Sequence, residues 1–137
     1  MKYVLDASVA VKWVLPEPDS ANALRLRDAF CQKSYELLSP DTFPVEVAHA
    51  LTRAERKRLL QPSEAMIKLT DLFSTAPDLR PYLPLLGRAV DLSSQQRIGV
   101  FDCLYVALAE AEQCRVASAD QRMVALFPAH VVPLDSF

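Results

Sequence analysis

Short apolar segments separated by helix-length stretches constrain this chain more than any other feature. Residues 2–5 (Lys-Tyr-Val-Leu), Tyr35–Leu38, Arg115–Ala117 and Val131–Leu134 each read as a brief buried strand. Leu79–Leu83 is a fifth candidate, interrupted by Pro81, which lacks the N–H that a central strand needs. Helical spacing fills the intervals. It covers Ala7–Leu15 up to Pro16, and Ala21–Gln32 after a 16–20 loop with Asp19 or Ser20 as N-cap. It continues from Thr42 to about Leu60 with Val45, Ala48, Leu51 and Thr52 on one side, then through a helix opened by Pro62-Ser63. That helix carries Ala65, Met66, Leu69, Leu72 and Phe73 as its apolar positions. Leu85–Gln96, Phe101–Gln113 and Gln121–Phe127 complete the set. Continuous apolar strands alternating with helices predict an α/β fold whose parallel sheet is covered on both faces. A length of 137 residues suits one domain, 1–137, with a sizeable core and no internal repeat.

Composition removes several classes. A 51% apolar chain with only 2 glycines and no low-complexity stretch is not a disordered one. The runs Val9–Leu15 and Cys103–Ala109 are too short to span a bilayer, and Asp6 and Lys12 break any leader-like start. The cysteines are odd in number and lack metal-ligand spacing; Cys103 and Cys114 read as small core residues, and a reducing, cytoplasmic setting is expected.

Four carboxylates stand out against this background. Asp6 closes the first strand, Asp120 follows Val116-Ala117-Ser118-Ala119, and Glu46 and Asp102 sit in early turns of predicted helices. Each has an ordinary explanation as a turn, a cap or a partner for a helix dipole. Together they share one kind of position: in a parallel sheet, the carboxyl ends of strands and the following helix starts form one rim. Acids set beside core segments need a partner for their charge. Four of them on one rim would make an oxygen-rich cage for Mg²⁺ or Mn²⁺ and a centre for phosphodiester cleavage. Ser8 and Ser118, each two residues from an Asp, are candidates to hold a carboxylate or a water, with helix capping as the alternative for Ser8.

Other chemistries find little support. His49 and His130 are the only histidines, which excludes a histidine-rich zinc site. His49 should share a helix face with Glu46, three residues earlier. No phosphate loop, dinucleotide fingerprint or nucleophile elbow occurs. A formal charge of −2 does not mark a nucleic-acid binder, but offsetting four acids with bound cations leaves the remainder net positive. Arg53, Arg56, Lys57 and Arg58 cluster, either as phosphate contacts for RNA or as cations favoured at a helix C-terminus. Lys12 and Arg97 are weaker candidates for the same role.

Four segments in order, Tyr3–Ser8, Pro44–Leu51, Phe101–Ala109 and Val116–Asp120, resemble the PIN-domain ribonucleases over essentially the whole chain. Within that family they are most similar to the short VapC-type toxins of bacterial toxin–antitoxin pairs. The resemblance implies a five-stranded parallel sheet flanked by helices, with Asp6, Glu46, Asp102 and Asp120 as the acidic quartet. It implies Ser8 and Ser118 as the hydroxyl positions, and it departs at His49, where the family commonly has Asn. It also implies a homodimer and a small antitoxin that inserts a segment into the groove.

The expected activity is metal-assisted hydrolysis of RNA, with Asp6 and Asp102 ranked first as direct ligands and Glu46 and Asp120 orienting water. Because such hydrolysis needs no 2′-hydroxyl attack, the expected products carry 5′-phosphate and 3′-hydroxyl ends. The competing expectations are a metal-dependent DNA nuclease, a phospho-receiver-like regulator and a non-catalytic PIN module. No Lys follows a late strand where a phospho-receiver switch would need one.

Overall fold

The computed structural model describes residues 1–137. Five parallel strands form one sheet: β1 (Lys2–Leu5), β2 (Glu36–Pro40), β3 (Asp78–Arg80), β4 (Arg115–Ser118) and β5 (Val131–Pro133). Their spatial order is β3-β2-β1-β4-β5. The chain builds outward from β1 in one direction, then returns to β1's other edge with β4. The order therefore reverses between β1 and β4, and such a switch point opens a crevice at the strands' carboxyl ends. Register pairs Val4 with Leu38 on one side and with Val116 on the other, so β1 is central and its Val4 and Leu5 are fully buried.

Seven helices cover the sheet: α1 (Ala7–Ala10), α2 (Ser20–Cys31), α3 (Phe43–Arg56), α4 (Glu64–Phe73), α5 (Leu86–Gln96), α6 (Val100–Ala111) and α7 (Gln121–Leu126). Helix α6 is the core helix. Every residue from Cys103 to Ala109 is buried, because it packs on β1, β2 and β4 while α5 covers it from outside. Trp13 fixes the opposite side: its indole N–H donates to the Ala23 carbonyl (2.9 Å), and the Arg27 guanidinium lies 5.1 Å from its ring. None of the helices is long and apolar enough to cross a membrane.

Departures from the sequence reading have local causes. The expected helix to Leu60 ends at Arg56, since Arg58 turns into the left-handed region (φ 60°). Strand β2 begins one residue late and runs on to Pro40. Strand β3 starts at Asp78 and stops before Pro81 rather than passing through it. Helix α3 buries Phe43, Val47, Leu51 and Ala54; Val45, expected on its apolar side, is 73% exposed. Met66 on α4, also expected in the core, is 65% exposed.

Candidate active site

Asp6 leaves β1 in extended conformation, and its own N–H still donates to the Ala117 carbonyl (3.1 Å), so the sheet ladder carries it to the rim. Only 4% of it is exposed. Ser8 Oγ and Ser118 Oγ both donate to Asp6 Oδ2, at 2.8 and 2.6 Å, leaving Oδ1 without a side-chain donor. The same hydroxyls accept the backbone N–H groups of Ala119 and Asp120 (3.1 and 3.0 Å), which ties the ends of β1 and β4 together. Burial raises the Asp6 pKa, and the two hydroxyl donors oppose the rise.

Glu46 projects from the first turn of α3. Tyr105 of α6 and Thr42 both donate to its Oε2, at 2.9 and 3.0 Å, so Oε1 remains open. Burial is the main force pushing Glu46 up to about 7; the two hydroxyl donors pull the other way, and Asp6 and Asp102 add repulsion. Asp102, half-buried in the first turn of α6, is pushed up to about 6 by burial and by the charges of Asp6 and Asp120. Asp120 caps α7 through Oδ1, which accepts the N–H groups of Arg122 and Met123 (2.9 and 3.4 Å). Three of the four acids are therefore anchored through one oxygen, with the second not committed to a side-chain or cap donor.

One cleft of about 480 Å³ collects all four acids together with Ser8 and His49. No Lys or Arg lines it. Carboxylates left without a cationic partner, three of them (Asp6, Glu46 and Asp102) with raised pKa values, fit a hard divalent cation, with His49 the one nitrogen donor in the lining. The four line one cleft without three of them closing on one point, so the four-carboxylate cage expected from the sequence is not preformed. The nearest offset is Arg122, whose charge partly opposes the repulsion at Asp102 while its guanidinium donates to the Arg97 carbonyl.

Comparison with known proteins decides the family. The PIN domain family model matches residues 3–126. The chain belongs to the PIN domain family. This PIN domain is 33% identical over 135 residues to Ribonuclease VapC3 of Pyrobaculum aerophilum, covering 97% of this chain and all of the relative. Among solved structures it resembles PAE2754 from Pyrobaculum aerophilum (TM-score 0.74, 16% identity, 99% of this chain and 94% of that one). It also resembles VapBC2 from Rickettsia felis bound to a DNA fragment from their promoter (TM-score 0.67, 16% identity, 97% and 98%). At those identities the two structures speak for the fold alone.

Within the PIN domain, Asp6, Glu46, Asp102, Asp120, Ser8 and His49 line one cleft, and Ser118 lies buried directly beneath Asp6. Arg53, Arg56, Lys57 and Arg58 are exposed at the far end of α3 and outside the cleft lining. Lys12 is engaged by Glu17 and Asp19. Thr42, Tyr105 and Arg122 were not singled out from sequence. Their only signal is spacing: Thr42 stands four residues before Glu46 and Tyr105 three after Asp102, each one helical turn from an acid.

Proposed function

We propose that this PIN domain is a divalent-cation-dependent endoribonuclease, the toxin of a toxin–antitoxin pair acting in the cytoplasm. The observation that carries the reading is the quartet itself: four carboxylates on the switch-point rim, none neutralised by a cation in the cleft. Similarity to Ribonuclease VapC3 across essentially the full length of both chains supports RNA over DNA. Asp6 and Asp102 would hold the cation, and Glu46 and Asp120 would orient water through their open oxygens. When bound, Mg²⁺ or Mn²⁺ supplies neutralisation of the scissile phosphate and a more acidic water. Ser8 and Ser118 keep Asp6 in position, and Tyr105 with Thr42 does the same for Glu46. Water adds to phosphorus and gives up a proton as the bond to the 3′-oxygen breaks and that oxygen takes up a proton from solvent, leaving 5′-phosphate and 3′-hydroxyl ends.

The exposed basic residues of α3 lie along the same helix as Glu46, with His49, Arg53 and Arg56 spaced by three or four residues behind it. That row offers a path for the RNA backbone leading away from the acids. An antitoxin partner and a homodimer belong to the same reading. Both need apolar surface; exposed Met66 lines a groove of about 300 Å³ between α3 and α4, together with Leu51 and Leu69. Matched RNA and DNA strands incubated with the protein and Mg²⁺ test the substrate: RNA alone should be cut, and preferential cutting of DNA would reject the ribonuclease reading.

A further inference from the structure

Five of the eleven residues lining the acidic cleft are apolar, and two of these are unusually open: Val45 is 73% exposed and Phe101 58%. Each immediately precedes a half-buried acid in the first turn of its helix, Val45 before Glu46 and Phe101 before Asp102. Successive helical residues point about 100° apart, so turning the acid toward the rim turns its neighbour toward the opening. A site for a cation and a phosphate alone has no use for such groups. Phe101 also contributes little to the core, which α6 builds from Cys103 onward.

We propose that Phe101, together with Val45, is a stacking platform that seats an unpaired nucleobase next to the scissile phosphate. This rests on the ribonuclease reading of the same cleft. The occupant follows from what shares the cleft with the acids. A strand whose phosphate lies at the carboxylates must place an adjoining base close by, and every base offers a flat π-face to an exposed ring. Phe101 supplies the only benzene ring in the lining, and a volume of about 480 Å³ lies in the range of small-ligand sites. Phe101 is thus a positioning residue that favours single-stranded RNA, since a paired base cannot leave its stack without loss.

The test uses the full chain with Mg²⁺ and an oligoribonucleotide that the wild type cuts at one mapped bond, alongside the same strand made abasic beside that bond. Phe101→Ala should lower kcat/KM roughly tenfold, mainly through KM, and Phe101→Trp should restore it. The abasic strand should be cut more slowly by wild type, with the penalty vanishing in Phe101→Ala because base and ring act as one pair. An abasic penalty that persists undiminished in Phe101→Ala overturns the proposal. So does a Phe101→Ala variant that cuts as wild type does, which would leave the ring to a protein partner. A wild type that cuts no RNA overturns the ribonuclease reading, and this inference with it.

Discussion

Asp6 has the most demanding environment of the acids, and the hydroxyls of Ser8 and Ser118 show how it is tolerated. Both donors converge on one oxygen, so the carboxylate is fixed without being neutralised. Asp6→Asn should reduce RNA cleavage to background while its melting temperature in EDTA equals or exceeds that of wild type, because a buried charge disappears. Cleavage at wild-type rate would remove Asp6 from the reaction. Tyr105 plays a parallel part for Glu46. A donor to the charged form lowers a carboxyl pKa, so Tyr105→Phe should raise that of Glu46 further above about 7. The acid limb of the pH–rate profile should then move to higher pH, with activity falling about 10- to 100-fold at neutral pH. An unmoved limb would mean that Tyr105 only fills space.

Helix α3 illustrates what an element adds to its residues. Its buried face of Phe43, Val47, Leu51 and Ala54 fixes its rotation against the sheet, and that rotation aims Glu46 into the cleft. Its basic end can be read from sequence as either a capped dipole or an RNA contact, and the two readings separate by salt dependence. Replacing Arg53 and Arg56 with Gln should weaken RNA binding and flatten the slope of log K against log salt by about 0.7 per lost phosphate contact. An unchanged slope would assign the pair to the helix end. Sequence alone placed Glu46 near the start of a helix here, where α3 puts it in the cleft, yet it assigned Val45 to the apolar side. Periodicity marks which positions are apolar, but the neighbour that leaves Val45 uncovered belongs to the tertiary arrangement. The link from Tyr105 on α6 to Glu46 on α3 was illegible for the same reason: a contact between residues 59 positions apart leaves no local pattern.

At the scale of the whole molecule, the parallel sheet and the positions of the four acids were legible because both follow local rules: short apolar strands, and acids placed just beyond them. The neighbour order β3-β2-β1-β4-β5 needed the structure, and it is this order that sets Asp6 and Asp120 at adjacent strand ends. Gathering acids there opposes stability in the metal-free protein. Glu46 is raised from 4.5 to about 7 and Asp102 from 3.8 to about 6, so between those limits the folded state holds protons that the unfolded chain has released. The metal-free protein should therefore lose stability as pH rises from about 4 to about 7. Mg²⁺ at 100 times its Kd should return about 2.7 kcal/mol, most visibly at the alkaline end. Thermal melts in EDTA and in Mg²⁺ check both; a metal-free stability that climbs over this range would contradict the electrostatic picture. The central claim, that the quartet is a cation-dependent RNA-hydrolysing centre, is tested most directly by mapping RNA ends after incubation with wild type and Asp6→Asn, with and without Mg²⁺. The expected result is cleavage by wild type with Mg²⁺ alone, leaving 5′-phosphate and 3′-hydroxyl ends. Full activity in excess EDTA, or 2′,3′-cyclic phosphate ends, would contradict it.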